Sequence, residues 1–206
     1  MQDVRLEQVQ RFSLIQGFRD GDGCLETELI QMSETMKILT YPESVLLSKS
    51  EAVENIDEDI QKLVDSMGAT MYAAPGIGLA ANQVGSLKRI FVFDLTPQDK
   101  GRNLSVLINP EIIQAEGKIE YEEACLSVID FSSEVTRSAH VKVRGVDRHG
   151  NPADIEAEGL LAICLQHEID HLNGVLFLDH VSSLKRALYK KKLKKMLIKG
   201  KPTAKL

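Results

Sequence analysis

Hydrophobic residues recur at two different periods along the chain and predict both helices and strands. Helical spacing runs over residues 57–72 and again over 159–172. Short apolar runs over 89–94 and 104–108 predict strands, and the second of these ends at the break Asn109-Pro110. A further run over 141–146, followed by the turn Arg148-His149-Gly150-Asn151, predicts a hairpin. Because strands and helices do not alternate in βαβ units, the predicted fold class is α+β.

The segment 182–198 also has helical spacing, but its composition differs from the rest of the chain. Leu184, Leu188, Leu193 and Leu197 recur among lysines, which predicts a helix that docks one side on the body of the protein. Residues 182–206 hold ten of the 25 basic residues and none of the 30 acidic residues. An acidic body therefore carries a basic tail, which is either a merely solvated helix or a surface that contacts ribosomal RNA.

Length and composition are those of one globular domain. The chain has 206 residues, and its hydrophobic fraction of 43% is enough to bury a sizeable core. Three cysteines do not make a disulfide framework, so a reducing compartment is expected. Residues 1–35 lack the apolar run of a signal peptide, and their acidic residues are unusual for an organellar transit peptide. These observations predict a cytoplasmic protein without a membrane span.

The strongest chemical signal is the pentad His167-Glu168-Ile169-Asp170-His171 in the second predicted helix. Two histidines four residues apart project from one helix face, within reach of a single metal ion. Glu168 can then take a proton from water beside that ion. The pattern indicates hydrolytic metal chemistry. The alternative is an ordinary amphipathic helix in which the spacing of the two histidines is accidental.

Catalytic metal sites usually have three protein ligands, so a third residue is needed. A metzincin would have a histidine ligand at the position of Phe177, so that class is excluded. Proteases of the thermolysin type use a downstream glutamate as the third ligand, and no glutamate follows Glu168 in this chain. The remaining candidates are Cys24, Cys125, His140, His149, Cys164, Asp179 and His180. A helix would place Cys164 ~10 Å from His171, too far to share one ion, so Cys164 is expected to be a core residue.

Two other segments have distinctive sequences. Cys125 lies in Glu123-Ala124-Cys125-Leu126-Ser127, and residues 76–83 form the glycine-rich bend Gly-Ile-Gly-Leu-Ala-Ala-Asn-Gln. The bend lacks the Lys-Ser/Thr of a P-loop and the third glycine of a dinucleotide fingerprint. The favoured interpretation is a backbone that approaches a ligand closely, with Gln83 as an amide donor.

Together these three segments resemble the motifs of one family, the peptide deformylases, which remove the formyl group from the N-terminal formylmethionine of new bacterial and organellar proteins. The bend matches the first motif, residues 123–127 match the second at all but one position, and the pentad matches the third, in the same order. The likeness runs from about Met36 to the C-terminal helix. It leaves residues 1–35 as an extension of uncertain origin and 36–206 as one catalytic domain. The resemblance implies antiparallel β-sheets around a central helix that carries the pentad.

The resemblance also implies a metal site. Cys125, His167 and His171 would bind one divalent ion, with Fe(II) favoured and zinc, nickel or cobalt as replacements. Arg137 is expected to pair with Glu123 and so orient the loop that carries Cys125, unless it is a solvated surface residue.

The implied reaction is the attack of water on the formyl carbon of an N-formylmethionyl peptide. Glu168 would take a proton from the water and return it to the leaving amine. Gln83 and the backbone N–H of Leu126 would donate to the oxyanion.

A substrate slot can also be inferred. Leu160 and Ile163 share the helix face of His167, and with Ile77 they would make an apolar slot for the methionine side chain, unless all three are ordinary core residues. The residues expected to contact substrate are Ile77, Gly78, Glu123, Ala124, Leu160 and Ile163.

Two positions depart from the family pattern. Ala124 stands where glycine is usual, which matters if the backbone needs a positive φ or if the peptide must approach closely. Ile129 stands where many members have proline, so the following strand could take another path.

Two other functions remain open. One is a zinc peptidase ligated through Asp179 or His180, and the other is a non-catalytic ribosome-associated module with a structural metal.

Overall fold

The computed structural model of the chain describes residues 33–96 and 100–198. The α-helices in these ranges are α1 (Glu58–Ala73), α2 (Gly159–Leu172) and α3 (Ser183–Ile198). The strands are β1 (Gly78–Ala80), β2 (Ile90–Phe93), β3 (Ser105–Glu116), β4 (Ile119–Cys125), β5 (Val128–Arg137), β6 (His140–Val146) and β7 (Pro152–Glu158). Residues 1–32 of the predicted extension, including Cys24, lie outside the described residues.

The named strands form two antiparallel sheets. The larger sheet has the order β1-β2-β3-β6-β7, and β4 pairs with β5 in a separate two-stranded sheet. One face of the larger sheet packs against α2, and the half formed by β1, β2 and β3 packs against α1 on its other face. The predicted α+β class, with antiparallel sheets around a helix that carries the pentad, is confirmed.

Burial on the strands follows from which faces are covered. All four residues of β2 are buried, with Phe91 and Phe93 in the core that includes α2, while Ile90 and Val92 lie in the core that includes α1. A strand covered on both faces reads as a continuous apolar run. None of the described helices is both long enough and apolar enough to span a membrane.

The start of α2 is fixed by a glycine. Gly159 has a φ of 58° and follows directly on the last residue of β7. This left-handed conformation, which glycine adopts without steric cost, lets the chain turn from the strand into the helix with no intervening loop. This junction fixes where α2, with the pentad, lies against the sheet. Cys164 is buried in the core that α2 shares with the sheet, as predicted.

The prediction that the second strand ends at Asn109-Pro110 is wrong. β3 continues to Glu116, with a register irregularity between Ile108 and Glu111. Asn109 has a φ of 54°, a region that asparagine tolerates, and its side chain bonds both the N–H and the carbonyl of Val53 at 2.8 Å. The strand therefore bends at this dipeptide without ending.

The predicted C-terminal helix is present, but most of its leucines do not dock. Tyr189 and Leu193 are buried against the core beside β5, while Leu184, Leu188 and Leu197 are 69%, 59% and 46% exposed. Two lysines support the same docked face, since Lys185 donates to Ser133 Oγ at 3.0 Å and Lys192 donates to the Asp130 carbonyl at 2.8 Å. The spacing of the leucines did not indicate this face, because it combines a tyrosine and one leucine with two lysines that donate to β5.

The two kinds of leucine on α3 give a matched test of this docking. Leu193→Ala is expected to lower the free energy of unfolding by about 2–5 kcal/mol, because it empties a buried position. Leu188→Ala, on the exposed side of the same helix, is expected to change it by less than about 0.5 kcal/mol. Urea unfolding of both variants measures the difference. Equal losses would mean that α3 docks through another face.

Candidate metal centre

Two elements bring the predicted metal ligands together. His167 and His171 lie one turn apart on α2 with ring centroids 4.9 Å apart, and the end of β4 places Cys125 Sγ 3.1 Å from His171 Nε2. One ligand atom from each residue lies within 4.8 Å of the others. Among the described residues, these three make the group of His, Cys, Asp and Glu side chains that could hold a metal ion.

The donor set fits a transition metal. Two imidazoles and a thiolate are ligands that iron and zinc accept, and three protein ligands leave a position open for substrate or water. Burial, and then the neighbouring charge of His167, lower the pKa of His171 well below its usual value. His171 is therefore a neutral imidazole, the form that binds a metal.

Glu123 orients the first histidine. Its Oε2 lies 2.8 Å from His167 Nδ1, and both carboxylate oxygens accept from the Arg137 guanidinium, at 2.7 and 3.1 Å. Burial alone would raise the pKa of Glu123, but hydrogen bonds from His167 and Arg137 outweigh it and hold the pKa at about 2. The predicted pairing of Arg137 with Glu123 is confirmed. Because Nδ1 is engaged, Nε2 of His167 is the nitrogen that would bind an ion.

The network continues away from the metal ligands, through contacts that the sequence did not reveal. Arg137 Nη1 also donates to Asp170 of the pentad, and Asp170 Oδ2 lies 2.7 Å from His180 Nε2. Asp179 pairs with Arg186 at 2.9 Å. Asp179 and His180, the candidate third ligands of a peptidase, therefore pair with Arg186 and Asp170. Cys125 is the residue that lies beside His167 and His171.

Glu168 is buried in a different environment. It is 4% exposed, and its Oε2 has no hydrogen-bond partner among the described residues. Burial raises the pKa of Glu168 to about 7. Gly78 makes room for it, since a Cβ at Gly78 would lie 2.9 Å from the carboxyl carbon of Glu168. A carboxyl group with this pKa can both accept and release a proton near neutrality.

Gln83 is also brought to the site. Its Nε2 lies 3.7 Å from Cys125 Sγ and donates to Ser127 Oγ at 3.1 Å, while its Oε1 accepts from the Ala80 N–H at 2.8 Å. These contacts fix the amide with its NH₂ group toward Cys125. The fully buried Ser127 was not predicted, although it belongs to the second motif.

The residues predicted to contact substrate differ in their exposure. Ile77 is 43% exposed, and its carbonyl is 3.7 Å from Cys164 Sγ, beside Ile163 on α2. Ile163 is 4% exposed, and Leu160 is half-buried one turn earlier. Leu126 lies against the glycine-rich bend, because a Cβ at Gly76 would be 3.0 Å from Leu126 Cδ1.

The two departures from the family pattern do not disrupt the backbone. Ala124 is not among the described residues with positive φ, and it is an exposed strand residue paired with Ser132. Ile129 lies within β5, and the next residue, Asp130, has a φ of 53°. The strand after Cys125 is therefore formed, and a left-handed residue follows the position of the missing proline.

The raised pKa of Glu168 makes the stability of the metal-free protein depend on pH. The Glu168 carboxyl keeps its proton up to a pH of about 7 in the folded protein, whereas its ordinary pKa is 4.5. The contribution of Glu168 to the free energy of unfolding therefore falls as the pH rises from 4.5 to about 7. Glu168→Gln removes the loss, and above about pH 7 the metal-free variant is expected to be more stable than the metal-free wild type by roughly 3 kcal/mol. Urea unfolding of both proteins across this range measures the difference. Parallel pH profiles would contradict the raised pKa.

Comparisons with known proteins agree with this geometry. The family model described as polypeptide deformylase matches residues 35–187. A curated peptide deformylase of Thermodesulfovibrio yellowstonii is 52% identical over 159 residues, which are 77% of this chain and 96% of that relative. Another, of Mesorhizobium japonicum, is 52% identical over 170 residues, 82% of this chain and 96% of that relative.

Solved structures give the same result. A crystal structure of a peptide deformylase from Legionella pneumophila is 45% identical with a TM-score of 0.75, and the match covers 82% of this chain and 99% of that one. A peptide deformylase from Ehrlichia chaffeensis, crystallised in complex with actinonin, is 41% identical with the same TM-score. The chain therefore belongs to the polypeptide deformylase family.

Proposed function

We propose that this member of the family is a metal-dependent hydrolase that removes the formyl group from the N-terminal formylmethionine of newly made polypeptides. The observation that carries the proposal is the Cys125, His167 and His171 group beside the buried Glu168. Three ligands and an acid/base with a pKa of about 7 are the parts that hydrolysis of an amide by activated water requires.

Cys125, His167 and His171 would hold one divalent ion, and Fe(II) is the proposed native metal, with zinc, nickel or cobalt as replacements. When bound, the ion would supply Lewis-acid polarisation and lower the pKa of water. The thiolate of Cys125 supports iron or zinc over magnesium or calcium, because sulfur is a soft ligand. Glu123 would keep His167 oriented toward the ion.

Glu168 is the proposed base and acid of the reaction. It would take a proton from the attacking water as the C–O bond forms, and return the proton to the amine as the C–N bond breaks, releasing formate. The Gln83 amide and the Leu126 backbone N–H are the proposed donors to the oxyanion. The contacts of Gln83 with Ser127 and Ala80 support this role because they orient the amide before substrate binds.

The proposed slot for the methionine side chain is formed by Ile77, Leu160 and Ile163. These three residues do not belong to the three buried hydrophobic clusters that the described residues form, although Ile163 is almost fully buried. Gly78, Glu123 and Ala124 would lie beside the peptide backbone near the reacting carbonyl. We further propose that residues 36–206 are the catalytic domain and 1–35 an extension to it, and that the protein acts in the cytoplasm.

The direct test is deformylation of a short formyl-Met peptide by protein loaded anaerobically with Fe(II). Glu168→Ala is expected to lower kcat by about 10²–10⁴-fold through loss of the acid/base. Gln83→Ala is expected to lower it by about 10²–10³-fold through loss of an oxyanion donor. Glu122→Gln, which changes an exposed carboxylate on the same strand as Cys125, is the control and should retain activity.

Other outcomes separate the alternatives. Cleavage of internal peptide bonds that survives Cys125→Ser would indicate a peptidase of different ligation. A fully loaded metal site without turnover of any formylated peptide would refute the enzymatic role and indicate a binding module.

The basic face of α3 is a second proposed contact, with ribosomal RNA. Helical periodicity puts Lys191, Lys194 and Lys195 on the side opposite the buried Tyr189 and Leu193, and all three lysines are exposed. α3 contains no acidic residue to neutralise them. A polyanion could therefore bind this face while the other face stays docked.

Charge reversal is a better test than truncation, because removing α3 would uncover the core around Tyr189. The triple change of Lys191, Lys194 and Lys195 to Glu is expected to weaken co-sedimentation with ribosomes and to reduce the slope of log affinity against log salt by about 0.7–0.9 per lost phosphate contact. The control changes Lys37, Lys49 and Lys88 to Glu, which gives the same net charge at exposed positions outside α3. Equal binding by the two variants would refute the contact through α3.

A further inference from the structure

Asp94, directly after β2, joins several elements near the substrate slot. The residue is 8% exposed. Its Oδ2 accepts from the Tyr72 hydroxyl at 2.6 Å and from the Asn103 N–H at 2.7 Å, and its Oδ1 accepts from the Thr96 N–H at 2.7 Å. Its own N–H donates to the carbonyl of Ile77 at 3.0 Å. Asp94 thus connects α1 with the segment after β2 through its buried carboxylate, and it holds the glycine-rich bend through its backbone N–H.

Tyr72 is held as the donor of this bond. It lies in the last turn of α1, half-buried, with the Arg102 guanidinium carbon 4.4 Å from its ring centroid. Burial and the neighbouring Asp94 both raise the pKa of Tyr72, so the phenol keeps its proton. A hydroxyl that donates to an ionised carboxylate makes one of the stronger neutral-to-charged hydrogen bonds.

The contacts of Asp94 fix the backbone at Ile77. Its carbonyl is held by the Asp94 N–H and lies 3.7 Å from Cys164 Sγ on α2. The preceding residue is attached to the same end of α1, since the Gly76 N–H donates to the Met71 carbonyl at 3.0 Å. The Ile77 backbone is therefore fixed between α1 and α2, while its side chain stays 43% exposed at the site.

We propose that Asp94 and Tyr72 are positioning residues that set the distance between Ile77 and α2, and thereby the selectivity for the first side chain of the formylated peptide. The inference rests on the proposed function and names a determinant of its substrate class. Neither residue touches the metal ligands in the contacts described, so chemistry at the formyl carbon is expected to proceed once substrate is bound.

A hydrogen bond that only stabilises the fold would give a different result. Its loss would lower the free energy of unfolding, and any loss of activity would be the same for every substrate. A positioning role affects only substrates whose side chain enters the slot. Formyl-Met and formyl-Gly peptides of otherwise identical sequence distinguish these cases, because glycine has no side chain to place there.

The experiment measures kcat and KM for both peptides with the metal-loaded wild type, Tyr72→Phe and Asp94→Asn. KM for the formyl-Met peptide is expected to rise about 3- to 10-fold, the effect of losing roughly one hydrogen bond, with kcat within about twofold of wild type. The kcat/KM for the formyl-Gly peptide should stay unchanged, so the Met-to-Gly selectivity ratio falls. Tyr72→Phe retains the ring, and it keeps the test valid if Asp94→Asn does not fold.

Asp147→Asn is the matched control. Asp147 also accepts backbone N–H bonds, from His149 and Asn151 at 2.8 Å, but it lies in the turn between β6 and β7. Its selectivity ratio should equal that of wild type. An active wild type whose ratio is unchanged in both Tyr72→Phe and Asp94→Asn would overturn this inference alone. A metal-loaded wild type with no turnover would refute the proposed function and this inference with it.

Discussion

The buried carboxylate of Glu123 is the contact on which the rest of the site depends. It lies on β4, two residues before Cys125, and it binds Arg137 at the end of β5 and His167 on α2. An unpaired charge in this position would be strongly destabilising, so the pairing of Glu123 links the strand, its hairpin partner and the helix. The same contacts hold the end of β4, which carries Cys125, beside the two histidines.

Two buried carboxylates near the site have opposite electrostatic environments. Glu123 is paired on both oxygens and keeps a pKa of about 2, while Glu168 lacks a partner at Oε2 and has a pKa of about 7. Such a separation is typical of sites in which one group orients and another exchanges protons. The absence of a side chain at Gly78 creates the space in which Glu168 is buried. The glycine of the first motif thus makes room for the glutamate of the third motif.

The C-terminal helix serves two surfaces at once. Its docked face stabilises β5 through Tyr189, Leu193 and two lysine contacts, and β5 begins three residues after Cys125. Its other face is basic and, in its described residues, without acidic neighbours on the helix. Lysines therefore occur on both faces for different reasons, since Lys185 and Lys192 beside the docked face donate to hydroxyl and backbone oxygens of β5.

The sequence by itself determined the helices at 57–72 and 159–172, the hairpin after 141 and the histidine pair of the pentad, because periodicity and the spacing of reactive side chains are local properties. Cys125 was identified as their neighbour only through the resemblance of its segment to the family motif. The sequence also suggested Arg137 as the partner of Glu123. It did not reveal that β3 passes through Asn109-Pro110, since the compensating bonds come from Val53, 56 positions away in sequence. It did not predict which face of α3 docks, or the contacts of Asp170 with His180 and of Asp94 with Tyr72. Those were decided only by tertiary structure, because hydrogen bonds between elements distant in sequence depend on how the sheets and helices pack, and no local pattern records that geometry.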